Sequence, residues 1–233
     1  MAGAPGADLL EMLGGVMAGR HGFTVRSRPT CRTVVVKWGE HTLFCKLREG
    51  DRKAARVEWR WLHVMPMLGL NVPQPVAFRK QGARSLVCTA QVRGRPLDAL
   101  LLEVARAGQL AQAHAFLCSV VAPQVRRLHE QGLVFRDLYW NHLYATSLEP
   151  DAELCFLDVE RVFRPRWRRF RWVVKDLAGL LASLPHPVPL RDKLRFLRAY
   201  LQDSWSDVWL RRRLVRAIGS KASQIRAHTP KFG

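Results

Sequence analysis

The sequence predicts an α+β fold in two lobes, a small β-rich N-lobe and a mainly helical C-lobe. Three observations predict it. Short apolar runs of β type crowd into residues 33–90 around one helical stretch. After Gly94 the apolar period becomes helical, and strand-like runs shrink to three or four residues. At 233 residues and 48% apolar content, the chain can bury one large core or two small ones, but not several.

Taken in order, residues 8–17 read as a short amphipathic helix. Two strands follow, 33–38 and 42–47, turning at Gly39-Glu40-His41. From 53 to 68 the period is helical, with Val57, Trp61, Val64 and Leu68 along one stripe. Gly69 stops this helix, and Pro73 and Pro75 keep the next segment extended. Residues 76–78 and 85–90 are two more strands, joined at Lys80-Gln81-Gly82. The N-lobe therefore spans 21–91 as β-β-α-β-β, behind an N-terminal extension of residues 1–20. The C-lobe, 92–233, begins at the switch Gln91-Val92-Arg93-Gly94. Pro96 suits the first turn of a helix to Arg106. Residues 110–130 read as one long buried helix, bent at Pro123 and stopped by Gly132. Residues 133–135, 143–145 and 154–157 are short strands, and the chain from 167 onward is helical.

Composition narrows the setting. Five scattered cysteines with no C-x-x-C pair read as reduced thiols of a cytoplasmic protein, not as a disulfide frame or zinc site. Residues 1–20 lack the basic start and apolar run of a secretion signal. Residues 107–125 carry no charge, but Gln109, Gln112, His114, Ser119, Pro123 and Gln124 make them a buried helix rather than a membrane span. The expected protein is soluble, and lies on a membrane if it meets one. Its 38 Lys and Arg against 19 Asp and Glu give +19, which calls for an acidic counterpart: nucleic acid, an anionic membrane or a phosphorylated substrate.

Single polar residues say little. Lys46 ends an apolar strand and has an ordinary reading as a lysine that snorkels to water. Glu58 has one as a solvated helix-face residue, Asp137 as a turn cap and Asp158 as a loop starter. Their order says more. A lysine on a strand is followed by a helix bearing a glutamate, two strands and a helical stretch. Leu128-His129-Glu130-Gln131-Gly132 then leads into Arg136-Asp137, and twenty-one residues after Asp137 an aspartate leaves another strand. This order, and above all residues 127–139, resembles the protein-kinase-like superfamily.

The resemblance implies roles with physical reasons. ATP brings about four negative charges that must be held and partly neutralised. Lys46 would bridge its α and β phosphates, and Glu58 would fix Lys46. Asp158 would supply a hard carboxylate to Mg²⁺. Asp137, next to Arg136, would take or orient the acceptor's hydroxyl proton. Adenine would lie between the lobes near Thr89, Ala90, Gln91 and Val92.

A closer resemblance rests on Cys31-Arg32-Thr33, Phe44-Cys45-Lys46, Val57-Glu58-Trp59 and Pro75-Val76-Ala77-Phe78. It continues through residues 136–142, Leu157-Asp158-Val159-Glu160-Arg161 and residues 171–178. Over about 24–184 the chain resembles the lipopolysaccharide kinase (Kdo/WaaP) family. That likeness implies ATP-dependent phosphorylation of a heptose or Kdo hydroxyl of the lipopolysaccharide inner core, at the cytoplasmic face of the inner membrane. It also implies that Asp176 braces the catalytic loop.

Departures from typical protein kinases are plain. Phe135 replaces the histidine before Arg-Asp, and His142 stands where they have a metal-binding asparagine. Imidazole is a poorer Mg²⁺ ligand than an oxygen donor, so His142 either joins the metal set, contacts phosphate or orients Asp137. Asn141 becomes a ligand only if the loop shifts register. Asp158-Val159-Glu160 replaces Asp-Phe-Gly, with Glu160 as a further metal candidate. No Gly-rich loop occurs between Thr24 and Val36; Ser27-Arg28-Pro29-Thr30 reads as a turn, with Arg28 in it and Arg32 after it as phosphate contacts.

Only 18 residues separate Asp158 from Asp176, too few for a peptide-binding activation segment, so a sugar suits the spacing better. Residues 161–233 hold 18 Lys and Arg against 4 Asp and Glu, +14 of the total, interleaved with Trp167, Trp172, Trp205 and Trp209. Arg with Trp suits an anionic membrane surface. Nucleic acid is the less favoured partner, with no finger, helix-turn-helix or RNA-binding motif in its support. The rival functions are a kinase of protein or another small molecule, and a non-catalytic pseudokinase binding an anionic surface.

Overall fold

The computed structural model describes residues 7–50 and 52–227. Residues 1–6 of the expected extension, Asp51, and 228–233 of the expected C-lobe lie outside the described residues. The chain divides into two compact units. The first runs to Val92 and takes back Asp158–Arg161; the second holds Arg93–Leu157 and the chain from Val162.

The first unit is built on a five-stranded antiparallel sheet of β1 (Phe23–Arg28), β2 (Cys31–Trp38), β3 (His41–Glu49), β4 (Pro75–Gln81) and β5 (Arg84–Ala90), in the order β1-β2-β3-β5-β4. β3 shows how the sheet sorts its faces. Leu43, Cys45 and Leu47 are buried on one side, while Lys46 and Arg48 alternate with them onto the other. Helix α1 (Ala7–Met17) covers the apolar side. Its Leu9, Leu13, Val16 and Met17 pack with Val34, Val36, Leu43, Cys45, Leu47 and Leu86, so this helix is part of the core. Helix α2 (Arg52–Met67) buries Ala55, Trp61, Leu62 and Met65, and its Glu58 meets the Lys46 side of β3.

Strand β1 was not expected from the sequence. All six of its residues are exposed, so it carries no apolar alternation and is held by its ladder to β2. Arg28 therefore ends a strand, and only Pro29-Thr30 form the turn.

The second unit has a three-stranded antiparallel sheet, β6 (Arg95–Pro96), β7 (Leu143–Ala145) and β8 (Leu154–Phe156), in the order β6-β7-β8. Its helices are α3 (Leu97–Arg106), α4 (Leu110–Phe116), α5 (Ala122–Glu130), α6 (Arg169–Ala182), α7 (Leu190–Leu201) and α8 (Val208–Ala227). Gly94, at φ 88°, enters this sheet where an added Cβ would stand 2.2 Å from the Ala145 carbonyl oxygen, so no larger residue fits.

Two expectations are corrected. The helix expected over 110–130 is divided by a π-helical turn, Leu117–Val121, with the Ala122 N–H reaching the Leu117 carbonyl. Pro123 explains it. Proline lacks an N–H, and its ring collides with the carbonyl four residues back, so the turn before it widens. The strand expected at 133–135 reduces to one bridge, Val134 to Phe163. The Phe135 N–H is instead taken by a side chain of α6.

Candidate active site

In the first unit five charged side chains form one connected group. Lys46 Nζ donates to Glu58 Oε1 at 2.8 Å and also to Asp158 Oδ1. Arg48 Nη2 donates to Glu58 Oε2 at 2.5 Å and also to Glu160 Oε2. The sequence arranges this simply. Lys46 and Arg48 are two apart on β3 and share a face, Glu58 faces them from α2, and Asp158 and Glu160 lie on and beside the short 3₁₀ turn Val159–Arg161, which packs on α2.

Exposure divides the group into two tiers. Arg48 and Glu58 are sealed, each with a side chain 4% exposed, whereas Lys46 and Asp158 keep 22% and 32%. The inner pair can fix geometry; the outer pair can reach a ligand. Burial by itself would push the Lys46 ammonium down, but the Glu58 and Asp158 carboxylates outweigh it and hold the group charged, above its ordinary range. Arg48 is held the same way by Glu58 and Glu160.

In the second unit the loop after α5 is fastened to α6. Asp176 is fully buried and accepts N–H bonds from Phe135 at 2.6 Å and Arg136 at 2.7 Å. His129 Nε2–H lies 3.3 Å from the same carboxylate, while Nδ1 meets the Tyr200 hydroxyl at 2.8 Å. Further along α6, Gly179 approaches so closely that an added Cβ would be 2.5 Å from the Leu138 carbonyl oxygen, and the Trp140 indole donates to the Leu180 carbonyl. Between these anchors stands Asp137, half-buried, with its carboxylate 3.5 Å from Lys175 Nζ. His142 Nδ1 donates to the Asp137 carbonyl oxygen at 2.8 Å.

The backbone is unusual at the same residues. Only four described non-glycine residues have positive φ, and two of them are Arg136 at 76° and Asp158 at 59°. Such conformations cost energy and persist where the surroundings enforce them. Asp176 does so for Arg136.

The other expected residues fall as follows. Arg136 has an exposed side chain, and its backbone makes the bond to Asp176. Arg28 is exposed at the end of β1, and Arg32 is half-buried on β2. Thr89 and Ala90 end β5, half-buried. The Ala90 and Gln91 N–H groups bond the Gln74 and Thr42 carbonyls, and Val92 follows, half-buried. Asn141 is exposed on the 3₁₀ turn Trp140–His142. Among the described residues no three His, Cys, Asp or Glu side chains gather as a metal cluster. Sequence reasoning missed Arg48 and Tyr200. Arg48 had a signal, a second cation two residues along an apolar strand from Lys46; Tyr200, in a different helix, had none.

Comparison with solved structures shows the fold, which is kinase-like. The structure titled "WaaP in complex with acyl carrier protein" aligns with a TM-score of 0.77 over 94% of this chain and 96% of that one, at 23% identity. An aminoglycoside-3'-phosphotransferase of type VIII aligns with a TM-score of 0.59 over 85% and 93%, at 17% identity.

The chain belongs to the lipopolysaccharide kinase (Kdo/WaaP) family, whose sequence model matches residues 43–200. It is 25% identical over 189 residues to the lipopolysaccharide core heptose(I) kinase WaaP of Escherichia coli (strain K12), covering 76% of this chain and 71% of that protein. It is 26% identical over 178 residues to the WaaP of Pseudomonas aeruginosa, covering 72% of this chain and 66% of that one.

Proposed function

We propose that the protein transfers the γ-phosphoryl group of ATP to a sugar hydroxyl, of heptose or Kdo, in the lipopolysaccharide inner core. The observation that carries this reading is Lys46, held between Glu58 and Asp158 as a fixed, permanently charged and reachable ammonium. In this reading Lys46 meets the α and β phosphates, Glu58 holds Lys46 in place, and Arg28 and Arg32 add phosphate contacts. The segment Thr89 to Val92 takes the adenine. Asp137 accepts or orients the acceptor's proton as the sugar oxygen bonds to the γ-phosphorus and ADP leaves, with Arg136 beside it. Lys175 Nζ, 3.5 Å away, faces that carboxylate with a positive charge.

The donor set suits Mg²⁺ brought with ATP, which needs only one or two protein carboxylates. Asp158 is the ligand we assign, and the ion would offset phosphate charge there. His142 fits this set less well, because its Nδ1 is spent on the Asp137 carbonyl; it suits orientation of that loop. Asn141 remains a candidate only through a change of register. Glu160 is committed to Arg48.

We place this activity on the cytoplasmic face of the inner membrane, with the protein bound peripherally to anionic lipid. The support is the +19 charge, together with the finding that no described helix is long and apolar enough to cross a membrane. An acyl carrier protein is a second candidate partner, since a related structure was captured with one.

The test is transfer of labelled γ-phosphate from Mg-ATP to dephosphorylated lipopolysaccharide core, wild type beside Asp137→Ala. Label on the sugar that vanishes in the variant supports the reading. ATP binding without label points to a different acceptor, and absence of both makes the chain a pseudokinase.

A further inference from the structure

Helices α6 and α8 lie side by side and run parallel. At one end the Arg213 guanidinium carbon sits 4.2 Å above the Phe170 ring; at the other, Arg226 Nη2 donates to the Leu181 carbonyl at 2.6 Å. The two amino-terminal ends therefore share one pole of the second unit. This pole breaks the usual rule for a soluble surface. Trp167, just ahead of α6, is 82% exposed, and Trp209, in the first turn of α8, is 68% exposed with Val208 beside it. Arg213 lies between the Phe170 and Trp209 rings, 4.9 Å from the latter, so the apolar and cationic groups are interleaved.

The charge around these indoles is one-sided. Residues 161–175 contain six Arg and one Lys and no Asp or Glu, and residues 208–227 contain five Arg and one Lys and again no acid. The adjoining carboxylate is Asp207, which accepts from the Leu210 N–H and so caps α8. Arg164, Arg166, Arg168, Arg171, Arg212 and Arg216 are exposed.

We infer that this pole is a docking face for an anionic lipid surface. Indoles favour the layer between headgroups and acyl chains, and guanidinium groups bind phosphates through fixed N–H forks. Nucleic acid would satisfy the arginines, and unpaired bases could stack on the indoles, but it offers no apolar layer for the aliphatic Val208. A stacked guanidinium such as Arg213 keeps its edge for an acceptor lying in its plane.

The face also has a direction. Helix α6 carries Arg169 in its first turn and Lys175 six residues on, a rise of about 9 Å. Lys175 stands 3.5 Å from the Asp137 carboxylate. One helix thus joins the docking pole to the proposed general base over a short span. This deepens the proposed lipopolysaccharide reading and rests on it for the acceptor: the hydroxyl that reaches Asp137 belongs to a sugar close to the headgroups.

The experiment sediments the purified full chain with vesicles of phosphatidylcholine alone, and of phosphatidylcholine with a quarter phosphatidylglycerol. The same samples are assayed on a lipid-free core oligosaccharide. The wild type is expected to bind the anionic vesicles at least tenfold more strongly, and to lose that binding at 0.5 M salt. Trp167→Ala with Trp209→Ala is expected to weaken it at least tenfold, with unchanged thermal stability and unchanged turnover of the lipid-free acceptor. Equal binding to both vesicles, undiminished binding by the double variant, or capture of RNA in place of vesicles would overturn the docking face. Vesicle binding without any sugar phosphorylation would leave the face standing and remove the kinase reading. Phosphorylation of the free oligosaccharide without vesicle binding does the opposite.

Discussion

Arg48 ties Glu58 to Glu160 with one guanidinium, behind the Lys46 contacts and out of reach of solvent. A typical lysine–glutamate pair holds one cation; here the glutamate is held from both sides. Under the proposed function Arg48 is a positioning residue, acting through Glu58 and Glu160. Arg48→Met would leave the buried Glu58 with half of its compensation, at a cost of about 3 kcal/mol. Such a loss lowers the melting temperature by about 6–12 °C in a chain of this size. The KM for ATP should rise more than kcat falls, and Arg48→Lys should restore part of both. Unchanged nucleotide affinity in a folded Arg48→Met protein would contradict the assignment.

Lys46→Met removes the cation shared by Glu58 and Asp158. Phosphoryl transfer should fall by on the order of 10²–10³, as for loss of one preorganised electrostatic contact. Isothermal titration with Mg-ATP beside single-turnover transfer separates binding from rate. A variant transferring phosphate at the wild-type rate would show that another group does the work.

Asp176→Asn keeps an acceptor but gives up the charge that serves Phe135 and Arg136. Bonds to a buried carboxylate are worth about 1.5–3 kcal/mol each, so the expected loss is a few kcal/mol, read by chemical denaturation. Gly179→Ala is the gentler probe. Its methyl group must displace the Leu138 carbonyl, next to Asp137. Transfer should fall at least tenfold while the circular dichroism spectrum stays unchanged. Equal rates would show that the loop tolerates the shift.

Tyr200 should reveal itself at alkaline pH. Burial pushes its phenol upward; Arg169 opposes this and Asp176 adds to it, and the net shift is well above the ordinary range. A group whose folded pKa is raised stabilises the fold fully below its unfolded value, near 10, and loses that contribution as pH climbs toward the folded value. Absorbance at 295 nm should show a late-titrating tyrosine that Tyr200→Phe abolishes. The stability difference between wild type and variant should narrow above about pH 10.

Cys155 offers a second titration. Burial, reinforced by Glu153, pushes its thiol up to about 12. Iodoacetamide at pH 8 should label it at least tenfold more slowly in the native protein than in urea. Equal rates would mean that the site opens readily.

The sequence made some side-chain groupings legible and left parts of the framework hidden. The grouping of Lys46, Glu58 and Asp158 was legible from the order of elements along the chain and the resemblance that order carries, not from the local pattern at any one of them. Asp176 was legible only through the resemblance, and its carboxylate accepts the Phe135 and Arg136 N–H groups. Strand β1 was hidden because its six exposed residues carry no period; only pairing with β2 makes it a strand. The π-helical turn was hidden because Pro123 announces a disturbance without saying which form it takes. Tyr200 and His129 meet from positions 71 residues apart, a distance no local pattern spans.

Residues Asp158–Arg161 have one further consequence. They are packed in the first unit although the chain on either side of them is packed in the second. Neither unit is therefore a continuous stretch of sequence. A gene fragment ending at Val92 would encode the sheet, Lys46, Arg48 and Glu58, but neither Asp158 nor Glu160. The two units cannot be cut apart and recombined as cassettes, and variation that swaps whole segments between relatives must carry those four residues across the boundary.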